Sequence, residues 1–213
     1  MVKRPYDTSK RQASARRTRR AILNAAAELF VEPGYAGARM SDVAAVAGVA
    51  VPTITAHFGS KKGLLSAVLD VSIAGDDEPV PMSGRSFVDD INALPAARDK
   101  LGRYADELWV TMDRVAGVLL ALERAAAVDA DAAAILAKNS AERLAAMTMF
   151  AAGLIATGEV RPDLSRDAVV SVLVLAMDVR NYDWLVRRRG FDATDFRRWY
   201  VGSVGGAILG TRP

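Results

Sequence analysis

Apolar residues recur at intervals of three and four along almost the whole chain, and no stretch alternates with the period of two that a half-buried strand requires. The pattern predicts an all-α fold. Ile22, Leu23, Ala26, Leu29 and Phe30 mark one side of a first helix over residues 14–31, which Pro33-Gly34 stops. Met40, Val43, Ala44 and Ala47 then fall at i, i+3, i+4 and i+7, one stripe on a helix of two turns. Gly48, just past the last periodic residue, can take the left-handed conformation that a tight corner needs, and Val49 can tuck into the angle behind it. Pro52 is tolerated in a first helical turn, so the next helix begins near residue 51 or 52 and runs to about Phe58. Ile54 and Phe58 face inward on it, leaving Val51, Thr53, Thr55, Ala56 and His57 for the outer and flanking surfaces. Ser60 can cap a fourth helix over residues 61–73.

Residues 75–85 mix Asp76-Asp77-Glu78 with Pro79, Pro81 and Gly84, a linker composition. Beyond it Leu101, Tyr104, Leu108, Trp109 and Met112 mark one helix face. Val115, Val118, Leu119 and Leu122 mark another, and Leu136, Leu144, Met147, Ala151, Leu154 and Ile155 a third, closed by Gly158. The last two predicted helices differ in character. Residues 168–177, AVVSVLVLAM, are apolar nearly all round, so Val172 or Leu175 stays exposed unless a second surface covers it. In the final helix, from Asp192, a ridge of Gly202, Gly206 and Gly210 would let another backbone approach closely beside Trp199. A partner subunit built on Val172, Leu175, Trp199, Gly202 and Gly206 is the expected cover, against the simpler alternative of two helices central in a monomeric bundle.

Charge divides the chain. Residues 1–62 hold eleven Lys or Arg against four Asp or Glu, whereas the remainder holds 17 against 21. Eight of the eleven precede Ala21, including Arg16 and Arg17, and such an arm can track phosphates or enter a minor groove; without DNA, residues 1–15 read as a disordered basic arm. Residues 16–75 then form a basic reader, and residues 76–213 an acidic helical body. With 213 residues and 51% apolar content the chain can bury a sizeable core. The absence of cysteine excludes disulfides, thiolate metal sites and a cysteine nucleophile. No run approaches the length of a membrane span and no signal peptide is evident, so a cytoplasmic protein without a membrane partner is expected.

Leu29-Phe30, Gly34-Tyr35, Asp42-Val43-Ala44, Ala47-Gly48-Val49, Thr53-Ile54, His57-Phe58, Ser60-Lys61 and Leu64-Leu65 together resemble the TetR family of one-component regulators over roughly residues 16–65. The resemblance implies a three-helix N-terminal domain whose second and third helices form a helix-turn-helix, and a C-terminal helical domain for ligand binding and dimerisation. It implies that Lys61, opening the fourth helix, contacts phosphate, and that the last two helices build a four-helix dimer interface. The chain departs from the family pattern at Arg39, where a hydroxyl residue usually caps the second helix, at Ala50, and at Thr55, where a tyrosine is usual. A lost cap costs about 1 kcal/mol, which a packed domain absorbs, and Arg39 can reach a phosphate itself. The expected DNA contacts are Arg16, Arg17, Arg39, Val51, Thr53, Thr55, His57 and Lys61.

The resulting expectation is a DNA-binding transcriptional regulator, a repressor that binds a palindromic operator as a homodimer and is released by a small molecule. Tyr104, Trp109, Met112, Met147, Phe150, Met177, Tyr182 and Trp184 are the candidates for an effector cavity, suited to an apolar or aromatic ligand. Each alone also reads as ordinary core. The contrasting class, an enzyme, has little support. The single histidine lies in the reader helix, no His, Asp and Glu grouping has metal-ligand spacing, and no glycine-rich phosphate loop is present, so neither metal nor cofactor is expected. A third reading keeps the DNA binding without a ligand, as a constitutive or partner-controlled factor.

Overall fold

The computed structural model describes residues 8–210, and within them every regular element is a helix. The α-helices are α1 (Thr8–Leu29), α2 (Met40–Ala47), α3 (Val51–Phe58), α4 (Lys61–Ala74), α5 (Ser86–Ala93), α6 (Ala97–Ala126), α7 (Ala130–Ile155), α8 (Arg166–Ala176), α9 (Val179–Tyr182) and α10 (Ala193–Ile208). A wide turn, Phe30–Gly34, follows α1 and another, Asp183–Arg188, follows α9. Among the described residues the only β-type pairing is an isolated bridge between Val160 and Leu209, which ties the chain after α10 to the loop before α8.

Helix α1 starts six residues before the expected position and ends two before it. No glycine or proline interrupts residues 8–29, and lysine, arginine, glutamine and alanine all favour helix, so nothing stops propagation toward the N-terminus. The expected disordered arm is therefore helical from Thr8, and its residues 1–7 lie outside the described residues. Helix α6 also corrects the sequence reading. The two apolar faces expected over residues 101–122 are one stripe, because Leu101, Ala105, Leu108, Met112, Val115, Leu119 and Leu122 step by four and three along a single 30-residue helix and are all buried. Helices α5 and α9 were not anticipated; both are short, and α5 buries only Ile91.

The buried apolar residues form one continuous cluster from Ile22 in α1 to Ile208 in α10. Helix α4 packs against α1 on one side and α6 on the other, so it belongs to the core of both halves. Two side chains fasten helix ends across this junction. The Arg114 guanidinium of α6 donates to the carbonyls of Ser72 and Ile73, at 3.3 and 3.1 Å, where the last turn of α4 has no helical partners. The Lys100 ammonium, buried, donates to the carbonyls of Ile91 and Asn92 at 2.9 and 2.8 Å and closes the end of α5. The connection from α4 to α5 is likewise tied down. Arg85 holds Asp76 through bonds of 2.6 and 2.9 Å, which keep that carboxyl well below the usual carboxylate range, and Arg19 of α1 holds Asp77 at 2.6 Å. No single helix among the described residues is long and apolar enough to cross a membrane.

Candidate nucleic-acid interface

Helices α2 and α3 meet at 103°. The corner is made by Gly48 at φ +67°, ψ +34°, a left-handed conformation a residue with a Cβ adopts only at a cost; the Gly48 and Val49 amides bond back to α2, Val49 to the Ala44 carbonyl at 3.0 Å. Arg39 precedes α2 in extended conformation and cannot accept a hydrogen bond, so it offers no side-chain cap. Asp42 supplies the missing contact: its carboxylate accepts from the Arg39 amide at 3.2 Å, the reciprocal half of a capping box, and its negative charge suits the first turn of a helix. The Arg39 side chain is left exposed.

Ile54 is fully buried and Phe58 half-buried, and they anchor α3 through one face. The Arg19 guanidinium covers the Phe58 ring from 4.6 Å while its other edge is held by Asp77, so Arg19 is committed to the fold. The opposite arc of α3 is bare. Pro52 and Ala56 lie at its centre, with the half-buried Thr53 and the exposed His57 on one flank and Val51, 37% exposed, and Thr55 on the other. The small central pair was not among the expected contacts, although the 100° step of a helix marks it in the sequence. Thr55 spends its hydroxyl proton on the Val51 carbonyl at 3.3 Å, which leaves only its oxygen lone pairs and methyl group for another partner. Arg16 and Arg17 stand exposed on α1.

Lys61 behaves differently from a free phosphate ligand. Its ammonium lies 4.4 Å from the centre of the Tyr35 ring and is half-buried, and that burial lowers its pKa against the opposing pull of Asp129. Lys62 next to it pairs with Asp131 at 2.9 Å, so the lysine start of α4 faces the aspartate start of α7. Gly63 completes the corner between α3 and α4: any Cβ there would overlap the Phe58 carbonyl oxygen, a close approach that only glycine permits.

Residues 22–68 match the family described as bacterial regulatory proteins, tetR family. Over that stretch, from α1 to α4, the chain is similar to the TetR family. In the TetR-family HTH-type transcriptional activator FasR of Mycolicibacterium smegmatis, 38% of residues are identical over 76 residues, 36% of this chain; the match spans 35% of that protein's length. The fold extends further than this sequence likeness. The regulator FadR of Bacillus subtilis, solved with stearoyl-CoA, superposes with a TM-score of 0.69 at 18% identity over 90% of this chain and 98% of its own. A transcriptional regulator of Saccharomonospora viridis, solved with choline, gives 0.68 at 21% identity over 91% and 98%. The TetR-type helix-turn-helix is thus α2–α3, braced by α1, and α5–α10 form the C-terminal helical domain.

Of the effector candidates, seven gather in the C-terminal domain. Tyr104 stacks on Phe150 with ring centres 4.7 Å apart, its hydroxyl points at the Met177 sulfur at 3.8 Å, and Trp109 meets Tyr182 edge-on at 5.6 Å. Met112 and Met147 are buried in the same core. Phe196 and Tyr200 of α10, not predicted, join the two aromatic groups into one ladder. Trp184 stands apart, 54% exposed, because the wide turn carrying it rotates it away from the bundle. Burial raises the pKa of Tyr104 and Tyr200, while Tyr182, whose hydroxyl donates to Asp113 at 3.3 Å, is pushed up to about 12. The Tyr200 hydroxyl is buried without a partner, as is Oδ1 of Asn139.

Two open cavities lie outside that ladder. One, about 580 Å³, runs beside α10 and is lined by Arg98, Asp106, Thr194, Arg197, Arg198 and Val201 among others. The second, about 330 Å³, lies between the turn after α1, helix α6 and the turn after α9. Of the residues expected at a dimer interface, Leu175 is 69% exposed, Val172 and Trp199 are half-buried, and a Cβ on Gly202 or Gly206 would meet nothing within 4 Å. Gly210 lies past the end of α10 and does not continue the ridge.

Proposed function

We propose that this protein is a DNA-binding transcriptional regulator that grips a palindromic operator as a homodimer and is released by a small molecule. The observation that carries the reading is the outward arc of α3, held at 103° to α2, with Arg16 and Arg17 exposed on α1 and Arg39 exposed just before α2. A helix with a small central pair can enter the ~12 Å wide major groove, where Thr53 and His57 reach base edges while the arginines bind phosphate. Lys61 joins them by leaving the Tyr35 ring for a phosphate, which restores the partner its burial denies it.

Support for the dimer comes from α8 and α10, which pack on one another and turn Leu175 and the Gly202–Gly206 ridge outward. A two-fold pairing of these faces would set two α3 helices for half-sites ~34 Å apart. Support for a small-molecule effector comes from the aromatic ladder with its unpartnered Tyr200 hydroxyl, and from similar structures solved with stearoyl-CoA and with choline. An apolar or aromatic molecule parting the ladder would shift α6, and Arg114 would pass the shift to the end of α4. FasR is named an activator, whereas we infer repression here. Nuclease footprinting on the DNA upstream of the gene tests the reading. It should reveal a protected, two-fold symmetric segment, and protection spread evenly over the fragment would refute it.

A further inference from the structure

The sequence run Arg187-Arg188-Arg189 has no role in the operator reading, and its first two residues border the smaller cavity. The floor of that cleft is apolar: Val31, from the turn that ends α1, rests against Gly117 of α6 beside Leu120, close enough that a Cβ on Gly117 would lie 3.3 Å from a Val31 methyl. The walls carry Arg124, Arg180, Arg187 and Arg188 against the single carboxylate of Asp183. Two of these guanidiniums are already paired. Arg188 holds Asp183 at 3.0 Å, and Arg180 holds Asp178 at 3.0 Å with Glu123 at 3.9 Å. Among the described residues no carboxylate comes within 4 Å of Arg124 or Arg187, which line the cleft without an ion-pair partner.

The larger cavity beside α10 does not match this arrangement. There Asp106 and Asp195 hold Arg197 and Arg198 at 3.1 and 2.8 Å, and only Arg98 is left over.

We propose that the cleft of Arg124 and Arg187 over Val31 and Leu120 is a binding site for a small organic phosphate. Two unpaired planar guanidiniums match a dianionic phosphate monoester in charge and in bidentate geometry better than a monoanionic carboxylate, and the apolar floor takes a compact organic body. The volume of about 330 Å³ suits a molecule of that size. Because the floor joins the end of α1 to α6, an occupant would touch both halves of the chain at once, and its binding would be linked to the placement of α1 and the reader it braces.

Isothermal titration calorimetry of the full chain with phenyl phosphate tests the site without reference to DNA, so its failure and a failure of the operator reading are separate results. One phenyl phosphate should bind per chain, at least tenfold more tightly than benzoate or inorganic phosphate. The variant Arg124→Gln/Arg187→Gln, which removes two exposed unpaired side chains, should melt at the wild-type temperature and lose at least tenfold in affinity. Absence of binding, equal affinity for benzoate, equal affinity for inorganic phosphate, or a variant that binds like the wild type would each overturn the assignment.

Discussion

Thr53 and His57 share one flank of the bare arc of α3 and neither contributes to the buried core, so their removal should act on DNA and not on folding. Thr53→Ala or His57→Ala is expected to weaken operator binding by about 1 kcal/mol, the low end for a side chain that reads a base edge, with an unchanged melting temperature. Anisotropy titrations beside thermal melts check both halves. At Gly63 the expectation reverses: Gly63→Ala forces the Phe58 carbonyl to move and should lower the melting temperature as well as DNA affinity. The outward residues of α3 were legible because helical spacing alone sorts them from Ile54 and Phe58. Gly63 and Lys100 were not, since the partners that explain them are carbonyl groups, which carry no residue-type signal. A pH effect belongs to this scale too. Tyr35, Tyr104, Tyr182 and Tyr200, four of the five tyrosines, all have raised pKa values, chiefly through burial. Below the ordinary value of about 10 both folded and unfolded chains keep the phenol proton, and the stability from these groups is complete. Between that value and about 12 the unfolded chain gives up the Tyr182 proton and the folded chain keeps it, so stability falls as pH rises. An ultraviolet titration should show at most one tyrosine ionising near pH 10 before alkaline unfolding exposes the rest; several ionising early in the folded protein would contradict their burial.

Helix α4 is the element through which the two halves communicate. It is lashed at one end by Arg114 and at the other by the pairing of Lys62 with Asp131. Arg114→Ala removes donors from the last turn of α4 and should cost about 1 kcal/mol in denaturant unfolding, whereas Asp131→Asn, which breaks an exposed pair, should cost less than about half of that. Equal losses would place the junction's strength elsewhere. The sequence marked α2, α3 and α4 well because each has its own signal: a stripe, a glycine corner, a proline start, a serine cap. Helix α5 is too short to repeat a stripe, its inward side being only Phe87, Val88 and Ile91 with Lys100 from another helix closing its end, and α6 was divided in two because its step from Met112 to Val115 fell between two groups of larger side chains. Truncating the start of α1 tests the basic arm. Loss of residues 1–15 should weaken binding to every DNA sequence alike and flatten its salt dependence, and an unchanged slope would remove those residues from the interface.

At the scale of the whole molecule, the single core that runs from α1 to α10 makes the chain one mechanical body, and the placement of α3 depends on what packs against α6 and α4. The charge asymmetry was visible from the sequence because it is a property of composition along the chain. The cleft of Arg124 and Arg187 was not, because its residues lie on elements far apart in sequence. Dimerisation through α8 and α10 predicts that Gly206→Leu, which fills open space in a single chain, sediments as a monomer; an intact dimer would place the interface on another face. The central claim is sequence-specific DNA recognition, and fluorescence anisotropy tests it most directly: titrate the DNA upstream of the gene and a scrambled fragment with the protein in rising salt. Preference for the upstream fragment should persist as salt increases. Equal affinities that fall together with salt would reduce the interface to a basic surface and contradict the account.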